Sequence, residues 1–271
     1  ERSKPFFLGA GLFKPHVPLF IPRKYFDLFP IDEIQIPDVN PDDLNDVPEF
    51  GKNLAEPDRW HKAVVAADQW KAGVQGYLAA VAFADAQVGR LLDALDNSAH
   101  AENTIIVFFG DNGWHLGEKL HWHKLTLWEE SARVPLIIAT PGMTTRGEDC
   151  FRTVSLVDLY PTLIDLCGLP AQAHLEGRSL VPLLEDPKAP WDRPVLTVLQ
   201  PGSYTIRSER WRYIRYEDGS EELYDHDSDP NEWVNLAGDA SCDGVMAALA
   251  KWMPDHAADA ATVQEKTWKP R

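Results

Sequence analysis

Cysteine is scarce in this chain of 271 residues: only Cys150, Cys167 and Cys242 are present. None stands in a CxxC or other metal-ligand spacing, so nothing supports a structural zinc knot, and an odd, sparse set does not make a disulfide framework. Each thiol reads as buried and inert. Long apolar runs are also missing. The longest strand-like run covers residues 104–109, far short of the ~20 residues a membrane helix needs, so no membrane-spanning helix is expected. Positive charge is in deficit, with 26 Lys and Arg against 42 Asp and Glu and a formal net charge of −16. A protein this acidic repels nucleic acid and anionic membranes. Any anionic substrate must therefore enter through a local positive spot. Internal repeats and low-complexity segments are absent. Residue 1 is Glu rather than Met, and no signal-peptide pattern follows.

What is present is ordinary globular material, sized for one large domain or one plus a small one. Hydrophobic residues make up 44% of the chain, enough for a sizeable core, and each of the ten Trp reads first as packing. Residues 6–12 (Phe-Phe-Leu-Gly-Ala-Gly-Leu) read as a buried strand. A chain that enters a core strand so soon is expected to be cut from something longer. Residues 13–60 are rich in proline and acids and predict a long irregular excursion with short helical turns.

Residues 71–96 predict a long helix, with apolar side chains at Val74, Tyr77, Leu78, Val81, Val88, Leu91, Leu92 and Leu95. Residues 104–109 predict a parallel strand covered on both faces, and residues 135–139 a similar short strand. A helix over residues 160–167 has Pro161 in its first turn and Gly168 as its stop. Strand, helix and strand in succession predict an α/β domain. Near residue 190 the pattern changes to alternating apolar and charged residues over 204–207 and 211–216. That predicts a meander of half-exposed antiparallel strands, followed by a helix near residues 245–253.

Two stretches could carry chemistry. The first, residues 110–124, begins where a buried strand ends, the place where α/β sheets bind ligands. Asp111 and Asn112 offer hard oxygen ligands suited to Ca²⁺ or Mg²⁺. Asp-Asn-Gly is equally a common turn sequence. Lys119, Lys124 and three histidines make the same stretch a local positive spot. His115, His121 and His123 read as exposed or supporting residues, with zinc ligation the sharper alternative. The second stretch, residues 11–18, places Lys14 and His16 between prolines that stiffen the loop. Two cations held this way could bind an anion or shuttle a proton, or could belong to a rigid surface loop.

With both stretches in view, the chain resembles the type I sulfatases, in the manner of the iduronate 2-sulfatase and choline-sulfatase branch. The resemblance rests on Lys14-Pro15-His16-Val17-Pro18, on Gly110-Asp111-Asn112-Gly113-Trp114 through Leu116-Gly117-Glu118 to Trp122-His123-Lys124, and on Arg133-Val134-Pro135-Leu136. It continues in residues 154–162 and in Glu222-Leu223-Tyr224-Asp225 with Asp229-Pro230 and Asn235-Leu236. It implies an alkaline-phosphatase-like α/β sandwich with a small C-terminal antiparallel-sheet subdomain, divided as residues 1–190 and 191–271. It also implies hydrolysis of a sulfate ester, on a sulfated sugar or similar substrate, with Ca²⁺ or sometimes Mg²⁺ as cofactor. On this resemblance Asp111 and Asn112 are two metal ligands, Lys124 contacts the sulfate, His16 contacts the sulfate or the leaving oxygen, and Lys14 is a substrate contact.

The family's nucleophile is a formylglycine made within Cys/Ser-x-Pro-x-Arg, and that motif does not occur here: Cys150 precedes Phe-Arg-Thr and Cys167 precedes Gly-Leu-Pro. The family's paired aspartates, and the lysine and histidine after the nucleophile, are missing too. The resemblance therefore implies the C-terminal portion of a sulfatase, with the missing N-terminal half of the domain as its partner and no catalysis by this chain alone. Relatives are secreted, periplasmic or lysosomal. Two other readings remain open: a phosphoesterase or phosphonate hydrolase of the same superfamily, and a non-catalytic module that binds sulfated glycan.

Overall fold

A computed structural model describes residues 4–143 and 147–255. In chain order the elements are α1 (Arg23–Phe26), α2 (Glu49–Ala55), α3 (His61–Ala66), α4 (Trp70–Asp96), β1 (Ile106–Phe109), β2 (His115–Leu116), β3 (Trp122–His123), α5 (Glu129–Ala132), β4 (Leu136–Ala139), α6 (Leu159–Leu166), α7 (Val181–Glu185), β5 (Val195–Gln200), β6 (Ser203–Arg207), β7 (Trp211–Arg215), β8 (Glu221–Asp225) and α8 (Asp243–Ala250). The chain divides into two compact units. One joins Glu1–Asp38 to Asp58–Thr104, and the other joins Val39–Pro57 to Ile105–Arg271.

The first unit is built on α4. Val74, Ala79 and Ala80 are buried on one side of it. Tyr25 of α1 meets Phe83 edge-on at 5.5 Å between ring centroids, and the Gln75 side chain donates to the Phe29 carbonyl at 2.7 Å. The expected helix is present, but its apolar stripe is covered only in the first half: Val81, Leu91 and Leu92 are exposed. Residues 6–12 do not form the expected buried strand. They lack regular structure, and Phe7 and Leu8 face solvent. Among the described residues no strand pairs with this segment, and an extended segment without a hydrogen-bonded neighbour has nothing to hold it in a core.

In the second unit, β5, β6, β7 and β8 form one antiparallel sheet in sequence order. β6, β7 and β8 are covered on both sides rather than half-exposed as the alternation suggests, whereas β5 keeps exposed residues at its second and fourth positions. Tyr204, Ile206, Tyr213 and Leu223 pack with Cys242, Leu249 and Met253 around α8. Ile214, Tyr216 and Tyr224 pack with Leu44, Val47, Ala55, Leu127 and Trp128. Arg212, a charged residue of the alternation, is consequently buried, and so is Glu222 on β8.

β1 is also a correction. It pairs antiparallel with β4, Phe108 opposite Ile137, and Phe108 and Phe109 are exposed rather than covered. Its apolar, β-branched composition reports strand formation, while the partner's direction depends on the connection, which here returns through β2, β3 and α5. On the other side of β4, Leu136 and Ile138 pack with Leu180, Leu183 and Trp191. Cys150 and Cys167 are exposed, contrary to the expectation for all three thiols; Cys242 alone is buried. The mixture of helices and small antiparallel sheets is that of an α/β protein ending in an antiparallel-sheet unit.

Candidate functional site

β1 delivers the chain to Gly110 and Asp111. The Gly110 amide donates to the Pro135 carbonyl at 3.1 Å, and the Gly113 amide donates to the Ser131 carbonyl at 2.9 Å. A Cβ on Gly113 would lie 1.9 Å from the Glu130 carbonyl oxygen, so only glycine permits this approach. Between these anchors the Asn112 amide donates to Asp111 Oδ1 at 3.1 Å, and Asn112 Nδ2 donates to the Gly113 carbonyl at 2.8 Å. β2 and β3 then pair His115 with His123 and fold the chain back, so that Lys124 Nζ donates to Asn112 Oδ1 at 2.9 Å. Asp111 is exposed; Asn112 and Lys124 are half-buried.

Asp111 and Asn112 thus present a carboxylate and an amide oxygen on adjacent residues. Two such oxygens suit a hard cation but fall short of the 6–8 that Ca²⁺ takes. Among the described residues one three-member group of potential ligands occurs, Glu129, His226 and Glu232. It does not fit a cation. Arg212 donates to both carboxylates, Arg207 Nε lies 3.2 Å from Glu129, and the Arg207 guanidinium donates to His226 Nδ1 at 2.9 Å. The guanidinium groups already supply the positive charge. Burial works against ionisation of Glu232, but Arg212, His226 and Lys119 outweigh it and hold the carboxyl at about 2. At Glu130 the balance is reversed: burial, and then the charge of Glu232, outweigh Arg212 and push its carboxyl up to about 8.

The positive spot expected over residues 110–124 is largely internal. Lys119 is 1% exposed, pairs with Asp43 at 2.7 Å, donates to the Glu232 carbonyl and sits over the rings of Tyr224 and Trp128. His115 and His121 are buried rather than exposed. His115 bonds the Glu118 carbonyl and Thr126 Oγ1. Burial, and next the charge of His121, push its imidazole well below the usual range, so it stays neutral. Neither histidine belongs to a group of potential metal ligands among the described residues. Lys124 is the cation of this stretch that reaches Asn112.

Lys14 and His16 lie in the first unit. Lys14 Nζ donates to the His16 carbonyl at 3.1 Å and to the Pro18 carbonyl. His16 Nδ1 donates to the Val17 carbonyl at 2.6 Å, and its exposed ring lies 4.8 Å from Phe13. Asp111, Asn112 and Lys124 therefore form one hydrogen-bonded group, and Lys14 and His16 form another in a different unit. Sequence reasoning missed the buried charges of this unit: Asp43, Glu129, Arg212 and Glu232. Arg212 alone carries a signal, as a charge inside an alternating strand, a pattern that by itself points to a solvent-facing side chain.

The profile described as Sulfatase matches residues 1–169, and that of N-sulphoglucosamine sulphohydrolase, C-terminal, matches residues 117–259. A sulfatase of Formosa agariphila is 40% identical over 93% of this chain and 50% of its own length. The choline-sulfatase of Rhizobium meliloti is 31% identical over 88% of this chain and 47% of its own. Among solved structures, BT4656 in complex with its substrate D-glucosamine-2-N,6-O-disulfate superposes with a TM-score of 0.60 at 30% identity, over 68% of this chain and 40% of that one. Related sulfatase structures share the fold, which is alkaline-phosphatase-like. The chain spans about half the length of these curated relatives. No described helix is long and apolar enough to cross a membrane. On the profile match and the 40% identity together, the chain belongs to the sulfatase family.

Proposed function

We propose that this chain is the C-terminal part of a sulfuric ester hydrolase, with residues 1–190 completing the α/β domain and residues 191–271 forming the small subdomain. The observation that carries this reading is the Lys124–Asn112 contact beside Asp111, at the carboxyl end of β1. Asp111 and Asn112 would hold the divalent ion, Ca²⁺ or Mg²⁺, together with oxygens from the missing N-terminal half. When bound, the ion supplies Lewis-acid charge to sulfate oxygens. The Lys124 ammonium adds a fixed positive charge to the same anion, in an otherwise acidic protein. His16 contacts the sulfate or the leaving oxygen, where an imidazole can hold or give a proton. Lys14, tied to two carbonyls of its own loop, contacts substrate from the same segment. The formylglycine nucleophile would come from the upstream half. A sulfated sugar as substrate is supported by the amino-sugar disulfate held by BT4656. A secreted, periplasmic or lysosomal location is part of the same proposal, by resemblance to the family.

The test uses the whole protein, upstream half included. Calorimetric titration with Ca²⁺ should show binding that Asp111→Ala abolishes, and p-nitrophenyl sulfate should be turned over faster than p-nitrophenyl phosphate or a phosphonate monoester. A preference for either phosphorus ester would make it a phosphoesterase or phosphonate hydrolase. Retention of a metal-free, inactive protein on heparin at physiological salt would make it a glycan-binding module.

A further inference from the structure

Lys124 reaches Asn112 from an unusual stretch of backbone. His123 and Leu125, on either side of it, both take the left-handed conformation, with φ of 91° and 75°. Non-glycine residues stay there only when their surroundings over-determine the backbone. The carbonyl of Lys124 is held from two sides: His121 Nε2 lies 3.1 Å from it and His123 Nδ1 lies 2.9 Å from it. Its two lone pairs can accept both. The other ring nitrogen of His121 lies 2.7 Å from the Ala55 carbonyl. Carbonyl oxygens only accept, so a ring nitrogen of His121 that carries a proton donates to the carbonyl it faces. Ala55 is the last residue of α2, where a helix leaves carbonyls without intrahelical donors. Ala55 is itself buried against the β5–β8 sheet, so it is a fixed point.

We infer that His121 is a positioning residue for Lys124: with His123 it clamps the lysine's carbonyl to α2, and so sets where the ammonium stands against Asn112. This rests on the reading of Lys124 as a sulfate contact. A histidine that only fills space beside His115, whose ring is 5.0 Å away, would not depend on what Lys124 does.

The experiment is a double-mutant cycle in the whole protein with p-nitrophenyl sulfate, comparing Lys124→Ala, His121→Leu and both together. His121→Leu is expected to lower kcat/KM by about 10- to 100-fold, the scale of an ångström-level misplacement. In the Lys124→Ala background it should cost no more than about twofold. His121→Gln keeps one donor toward the Lys124 carbonyl and should recover most of the loss. If His121→Leu does not fold, His123→Ala removes the other donor from a half-buried site and should show the same dependence on Lys124. Equal losses in both backgrounds would overturn the clamp and leave the role of Lys124 intact. If Lys124→Ala leaves kcat/KM unchanged, the sulfate-contact reading itself falls, and the clamp with it.

Discussion

Arg212 shows why single residues in this protein have large effects. Its guanidinium is 1% exposed and donates to Glu129, Glu232, the Leu127 carbonyl and Thr205. Removing one partner of a buried charge group leaves the others uncompensated, at a cost of about 3–5 kcal/mol. Arg212→Ala should therefore lower the unfolding free energy of the chain, measured in urea, by an amount of that order. Glu130 gives a test by pH. Its folded value of about 8 lies above the ordinary carboxyl value of 4.5, so between those two pH values the folded state holds a proton that the unfolded state has lost. Stability from this group is full below the ordinary value and falls as pH rises toward 8, by at most ~1.4 kcal/mol per pH unit. Glu130→Gln should remove this slope, raising the thermal midpoint at pH 8 more than at pH 5. Glu232 runs the other way. It is held at about 2, so its contribution is present at neutral pH and is lost as pH falls below the ordinary carboxyl range.

At the level of elements, the turn after β1 and the start of α6 are the informative places. Gly113 lies against the carbonyls of Glu130 and Arg133. Gly113→Ala must push that turn away from α5, breaking the Gly113–Ser131 hydrogen bond. A loss of about 1–3 kcal/mol is expected from such crowding, along with weaker divalent-ion binding at Asp111 and Asn112. Calorimetry on the whole protein reads both. The turn preceding α6 begins with a capping box: Ser155 accepts from the Val157 amide, and Asp158 accepts from the Ser155 amide at 2.9 Å. Ser155→Ala should cost about 1 kcal/mol, a fall of ~2–4 °C in Tm, without changing metal affinity.

For the molecule as a whole, the informative feature is apolar surface. Phe7, Phe20 and Phe151 are 89%, 85% and 86% exposed, and Val81, Leu91, Phe109 and Ile137 are also open to solvent. Large apolar side chains left open in each unit in this way mark surface that other protein normally covers. The isolated chain should bind the dye ANS strongly, and adding the upstream half of the domain should suppress the fluorescence. Unchanged fluorescence would argue that these side chains are not the seat of the missing half.

Local information carried far in this protein. The positions of α4, α6, β1, β4 and the β6–β8 meander follow from periodicity, stop residues and turn chemistry, because those are short-range preferences that neighbouring residues express together. The order of the motifs around Lys14, Asp111 and Lys124 pointed to the family for the same reason: each is a short segment with a fixed spacing. Long-range placement was not legible. The sequence around Lys119 looks like an exposed cationic loop, yet its ammonium meets Asp43, which is 76 residues away, and the Glu232 carbonyl. Arg212 alternates with apolar residues as a solvent-facing residue does, yet a second layer covers it. β1 reads as a doubly covered parallel strand, yet it pairs antiparallel and is half open. Charge and periodicity report what a residue prefers near its own backbone, whereas burial, ion-pair partners and strand direction are set by segments that meet only when the chain has folded.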